Sequence, residues 1–245
     1  MSKRDSALME KVRPHLIEGV VFLVIILLLS MGTYSRNEIW NDEIGLWKDC
    51  LKKSPQKARP HGNLGFAYLN AGIYDKALQA SRNALEIDPK FANAYYNMSI
   101  TYQKMGDLKQ AINMGKKALE IDPNLLMAYC SLGGIYFEKG EYQASVEAYK
   151  RFLHVFPYFP EVHHLLGIAY AAQKQFDQAI KEFEWEIRIN PYHTLAHLNL
   201  GQIYWHEFHK KREALTHLKV ALLLDPFLPN GGEIRGLVRA LEELP

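Results

Sequence analysis

The chain carries ten histidines, and their spacing raises metal chemistry first. His193 and His197 stand four residues apart, which sets two imidazoles on one face of a helix as a zinc site would require. His206-Glu207-Phe208-His209 is one residue short of the His-Glu-x-x-His spacing of a zinc protease. Against a metal, His197 falls in the same periodic column as His61 and His163, which marks a packing position. The two cysteines, Cys50 and Cys130, are too few and too far apart for a disulfide framework, and no Cys-x-x-Cys string accompanies them. Gly133-Gly134 is not followed by a phosphate-cradling pattern, and no Gly-x-Ser-x-Gly elbow occurs. We assign no catalytic residue, no metal ligand and no cofactor, and read the chain as a non-enzyme.

A different chemistry is better supported. Asn63, Asn97, Ser131, Leu165 and Asn199 recur every thirty-four residues, and three of the five are asparagine. An amide is both donor and acceptor, so a ladder of them can hold the backbone of an extended peptide whatever its side chains. About one helical turn from these positions, or beside them, stand Phe66, Tyr96, Ile100, Phe137, Ile168 and Trp205, an apolar lining for anchor residues. The rival reading is that the amides bond within the helices or face water. Asn97-Met98-Ser99 fits a glycosylation sequon, but Asn97 lies within a helical pattern and not in a loop.

The ladder needs a periodic scaffold, and the sequence supplies one. The string "ALEIDP" occurs at Ala84 and again at Ala118. At period thirty-four, Pro55, Pro89, Pro123, Pro157 and Pro191 align, and one extra residue brings Pro226 into register. Leu64-Gly65, Met98-Ser99, Leu132-Gly133, Leu166-Gly167 and Leu200-Gly201 form a second column, Tyr68, Tyr102, Tyr136, Tyr170 and Tyr204 a third, and Ala77, Ala111, Ser145, Ala179 and Ala214 a fourth. The small residues let two helix backbones approach, and the tyrosine fills the groove between them. Gly72, Gly106 and Gly140 can end a first helix in left-handed geometry, and the closing proline ends a second. A lone pair could not bury its apolar face, so stacking must create the core.

These columns resemble the tetratricopeptide repeat over residues 58–226: Leu-Gly-x2-Tyr, then Ala, then a closing Pro. The tryptophan that often opens such a unit is replaced by His61, Tyr95, Tyr129, His163 and His197. The fourth unit has Lys174 where others have glycine, and the fifth carries its insertion within "HEFHKKREA", which predicts a distorted turn there. The resemblance implies an all-α, right-handed solenoid whose first helices line a binding groove. Family members that bind chaperone tails use a carboxylate clamp of Lys, Arg and Asn. The corresponding residues are Gly62, Phe66, Asn97, Met127 and Ser131, of which only Asn97 fits, so a partner of that type is not expected.

The remaining boundaries follow. Trp47, Cys50 and Pro55 fall in second-helix columns, so residues 35–57 read as a half repeat. Five units follow at 58–91, 92–125, 126–159, 160–193 and 194–228. Residues 229–245 read as a capping helix, with Ile234, Leu237, Val238 and Leu241 at helical spacing.

At 48% hydrophobic the chain can bury a core, and of its formal charge of +2 the first fifteen residues supply all. The body is neutral, which argues against a nucleic-acid partner. Leu16 to Tyr34 holds only one charge, Glu18. As a helix it would reach about 28 Å, enough to span a bilayer. A cleaved signal peptide, with Ser30 and Gly32 at its cleavage site, and a buried core helix, which would hardly be so apolar on all sides, are the rival readings. Four basic residues precede the span and Arg36 follows it, so the leader 1–15 is expected in the cytoplasm and the body outside it. Residues 33–68 are similar to the junction between membrane helix and repeats in multi-pass tetratricopeptide O-mannosyltransferase-like proteins. Their many-helix catalytic region has no counterpart here, so their chemistry is not expected. The function expected is that of a single-pass membrane scaffold whose groove binds a protein or extended peptide, with residues 16–34 in the lipid bilayer. The alternatives are an accessory subunit of an envelope glycosyltransferase or polysaccharide-export machine and a structural subunit of a larger membrane complex.

Overall fold

The computed structural model describes residues 42–244. The apolar stretch 16–34 and its basic leader lie outside them. Among the described residues no helix is long and apolar enough to cross a membrane. They form twelve α-helices and no strand.

Two compact units divide at Asp88 and Pro89. The first unit holds α1 (Glu43–Lys53), α2 (Ala58–Asn70) and α3 (Tyr74–Ile87). Asp42 caps α1 by accepting from the Ile44 N–H at 3.1 Å. None of the residues of α1 is fully buried. Helices α2 and α3 form an antiparallel pair, and α1 packs on α2.

The second unit holds α4 (Ala92–Lys104), α5 (Leu108–Ile121), α6 (Leu126–Glu138), α7 (Tyr142–Val155), α8 (Val162–Ala172), α9 (Phe176–Ile189), α10 (Thr194–His206), α11 (Lys211–Leu224) and α12 (Gly231–Glu243). Here α4 pairs with α5, α6 with α7, α8 with α9 and α10 with α11, each pair packing on the next. Ile234, Val238 and Leu241 of α12 close the last pair by packing against Ala214 and Leu218.

Each column has a contact to explain it. Ala77, Ala111, Ser145, Ala179 and Ala214 are fully buried. Opposite them, a Cβ added to Gly133 would lie 2.6 Å from the Tyr149 ring, to Gly167 2.6 Å from the Phe183 ring, and to Gly201 2.6 Å from Leu218. Where a hydroxyl replaces a small residue, it is satisfied across the pair. Ser99 donates to the Ala111 carbonyl and Ser145 to the Gly133 carbonyl, both at 2.7 Å.

The tyrosine column has a backbone role that its ring packing does not suggest. The carbonyls of Tyr68, Tyr102, Tyr136 and Tyr170 each accept, at 2.9 Å, the N–H five residues on, from Ile73, Asp107, Glu141 and Gln175. This closes the turn between the paired helices in a Schellman arrangement. In the fifth unit Tyr204 accepts from Lys210 at 2.8 Å, six residues on, so the insertion enlarges the ring by one residue and keeps the bond. Gly72, Gly106 and Gly140 take positive φ in these turns, and Lys174 takes the same conformation at φ 58°. The fourth turn therefore closes like the others, with strain at Lys174 in place of a glycine.

Candidate functional site

The first helices of the second unit lie side by side, α4 on α6 and α6 on α8. Their polar side chains bond at a spacing of thirty-five residues. Ser131 donates to the Tyr96 hydroxyl at 3.3 Å, Gln103 to Glu138 at 2.7 Å, and the Asn199 amide to Nε2 of His164 at 3.0 Å. These contacts use part of the expected ladder. Asn97 is buried at 6% exposure and its own carbonyl accepts from Thr101. Ser131 and Asn199 are half-buried and bonded to the preceding first helix. Leu165 of the same column is exposed.

The apolar lining divides as well. Ile100 is half-buried. Phe137 packs on the Val146–Leu166 core and against Tyr142, Ile168 on the Phe183–Leu200 core, and Trp205 on the Ala214–Leu218 core. Asn63 is half-buried and Phe66 exposed, both on α2 in the first unit.

The histidines form a network that is occupied by the fold. In three units the ring Nε2–H donates to the carbonyl of the closing proline six residues earlier: His61 to Pro55 at 2.9 Å, His163 to Pro157 at 2.8 Å and His197 to Pro191 at 3.2 Å. His163 also meets Glu182 at 2.7 Å through Nδ1, so both nitrogens face acceptors. Burial lowers its pKa, but the Glu182 carboxylate and the Pro157 carbonyl outweigh it, and the net shift is upward. His197 and His217 meet through their Nδ1 atoms at 3.0 Å, where one ring must be the acceptor. Burial, then the neighbouring His197, takes His217 down to about 4. Burial and His193 likewise take His164 down to about 4.

His193 accepts from the Ala196 N–H through Nδ1, capping α10, and turns Nε2 towards Glu186 at 4.0 Å. Glu186 is fully buried and accepts the N–H groups of Glu161 and His164 at 2.9 and 3.3 Å. A carboxylate from α9 thus caps the N-terminus of α8, where Glu161 sits at φ 71° and provides no side-chain cap of its own. Nδ1 of His193 and both ring nitrogens of His197 are committed to these partners. Among the described residues no three ligating side chains are grouped to hold a metal.

Sequence reasoning passed over one surface. After the closing proline, Tyr158, Tyr192 and Phe227 are 69%, 77% and 92% exposed, where the first and second units have Lys90 and Asn124. The signal was legible as the residue following each proline.

Models of the tetratricopeptide repeat match residues 56–124, 92–156 and 164–229. No curated protein matches the chain. Among solved structures, YrrB, described as a TPR protein with an unusual peptide-binding site, is 21% identical at a TM-score of 0.67, over 78% of this chain and 97% of that one. MamA is 27% identical at 0.62, over 66% and 95%. PilF of Pseudomonas aeruginosa is 23% identical at 0.61, over 75% and 88%. The junction resemblance of residues 33–68 to O-mannosyltransferase-like proteins is not supported by these matches, and no catalytic family appears among them.

Proposed function

The chain belongs to the tetratricopeptide-repeat family, and we propose that it is a non-enzymatic scaffold holding a protein or extended peptide along its row of first helices, beside a membrane that residues 16–34 anchor it to. The observation that carries this reading is the set of incompletely buried side chains on successive first helices: Ile100 on α4, Ser131 on α6, Leu165 on α8 and Trp205 on α10. Side chains left partly open on successive parallel helices offer a partner both apolar and polar contacts. The peptide-binding site named for YrrB lends the fold a precedent for such a role. Anchoring would raise the effective concentration of a partner in the same membrane, so modest affinity suffices.

A photo-crosslinking amino acid at Leu165, in membranes of the native host, should yield a discrete adduct. Its yield should fall at least fivefold when Ile100→Glu is added, with helical content unchanged. An adduct insensitive to Ile100→Glu would overturn the groove. The anchor is tested separately, since alkaline carbonate should leave the chain in the membrane pellet and its release would refute the anchor alone. Digestion from outside right-side-out spheroplasts should remove a C-terminal tag. Protection of that tag would reverse the orientation.

A further inference from the structure

A second docking surface, distinct from the side chains of the proposed groove, lies on the paired helices α6 and α7. A cleft of about 550 Å³ opens between the start of α6 and the end of α7, lined by Leu126, Tyr129, Lys150, Arg151, His154 and Val155 among others. Its floor is apolar, since Leu126 and Tyr129 pack from above on the Val146–Leu166 core. Its rim is basic. Lys150, Arg151 and His154 are exposed on one stretch of α7, and neither Lys150 nor Arg151 forms an ion pair among the described residues.

The neighbouring units show why this cleft is distinct. At the register of Tyr129 and Arg151 the second unit has Tyr95 and Lys117, and the Lys117 ammonium covers the Tyr95 ring at 5.8 Å. The fourth unit has His163 and Trp185 there, and the indole stacks on the imidazole at 5.9 Å, with Tyr158 against its edge. In the third unit the cleft opens at this place. The preceding second helix extends the positive field, because Lys116 and Lys117 occupy on α5 the positions that Lys150 and Arg151 occupy on α7. Against these four cations the same faces carry Glu120 and Glu147, and Glu147 already accepts from Gln143 at 3.1 Å. A neutral body with a local positive excess over an apolar floor selects its occupant by charge.

We propose that this cleft binds an acidic peptide segment of a partner protein, with one leucine-sized or aromatic side chain seated on Leu126 and Tyr129 and flanking carboxylates on Lys150 and Arg151. Arginine can take a carboxylate through two parallel N–H bonds, while lysine acts as a point charge. The floor explains why charge alone would not suffice, and the rim why an uncharged segment would not be held.

The probe is a fluorescein-labelled nonapeptide with a central leucine flanked on each side by two aspartates, titrated with the 245-residue chain in mild detergent and followed by anisotropy. Saturable binding is expected, at least tenfold weaker for the chain carrying Lys150→Glu and Arg151→Glu, and weaker as salt rises from 50 to 300 mM. Replacing the probe's leucine by serine, or its aspartates by asparagine, should each cost at least tenfold. Leu165→Glu, on the first-helix row, should leave the affinity within twofold, so that failure here and failure of the proposed groove can be told apart. Hydrogen exchange with the unsubstituted chain should show protection at 123–129 and 147–155 and so locates the site without any variant. Equal affinity for the double variant, equal binding of the asparagine probe, protection elsewhere, or binding of anionic vesicles or an oligonucleotide but not of the peptide would each overturn the proposal.

Discussion

Two adjacent glycines on α6 offer a matched test of the packing that builds each unit. A Cβ added to Gly133 would lie 2.6 Å from the Tyr149 ring, whereas one added to Gly134 would meet nothing closer than the Tyr149 hydroxyl at 3.6 Å. Tyr149 is 2% exposed and cannot swing away. Both substitutions to alanine gain about 0.5–1 kcal/mol from restricting the unfolded chain and favouring helix. Gly134→Ala keeps that gain. Gly133→Ala must also overpack the helix pair, which costs about 1–3 kcal/mol. The helical gain cancels in the comparison, so the two variants should differ by about 1–3 kcal/mol. At about 2–4 °C per kcal/mol for a chain of this size, their melting temperatures should separate by roughly 2–12 °C. Thermal unfolding followed by circular dichroism at 222 nm reads the difference directly. The gap should persist in a Tyr149→Phe background, which retains the ring, and close to within about 0.5 kcal/mol with Tyr149→Ala, which removes it. Equal melting temperatures, or a gap that survives loss of the ring, would refute the claim that this column sets the helix spacing. Gly133→Leu enlarges the same clash.

The histidine network predicts a pH dependence of stability. His164 and His217 are held near 4 in the folded chain against about 6.5 unfolded, so the unfolded state binds more protons and stability falls as pH drops from about 6.5 to about 4. For buried His164 the loss is on the order of 3 kcal/mol, at about 1.4 kcal/mol per tenfold change in proton affinity. His163 acts oppositely: its raised pKa contributes stability at low pH that is lost as pH rises through the folded value. Melting temperatures at pH 7 and 4.5 should therefore differ less in His164→Gln than in the unsubstituted chain, and identical differences would refute this. Lys174→Gly should stabilise the chain by about 0.5–1 kcal/mol by relieving left-handed strain, while Gly140→Ala, with nothing within 4 Å of the added Cβ, should cost about 1–2 kcal/mol from backbone conformation alone. Denaturant titration measures both.

The repeat itself was legible because it depends on residues that meet within one unit. Gly133 faces Tyr149 and Ser145 bonds the Gly133 carbonyl whatever the neighbouring units do, so a thirty-four-residue period carries the small-residue, tyrosine and proline columns onto helices directly. The apolar spacing of Ile234, Val238 and Leu241 likewise marked α12. Contacts between units obey a different interval. Ser131 meets Tyr96 and Asn199 meets His164 at thirty-five residues, because each first helix is offset against the last, and a column drawn at thirty-four places these partners one position apart. For that reason the asparagine column suggested a uniform ladder, while the tertiary structure buried Asn97, bonded Asn199 and left Leu165 exposed. The Glu186 cap on α8 and the cleft beside Tyr129 were likewise decided only in three dimensions, since each depends on which side chain of one helix reaches the end of another.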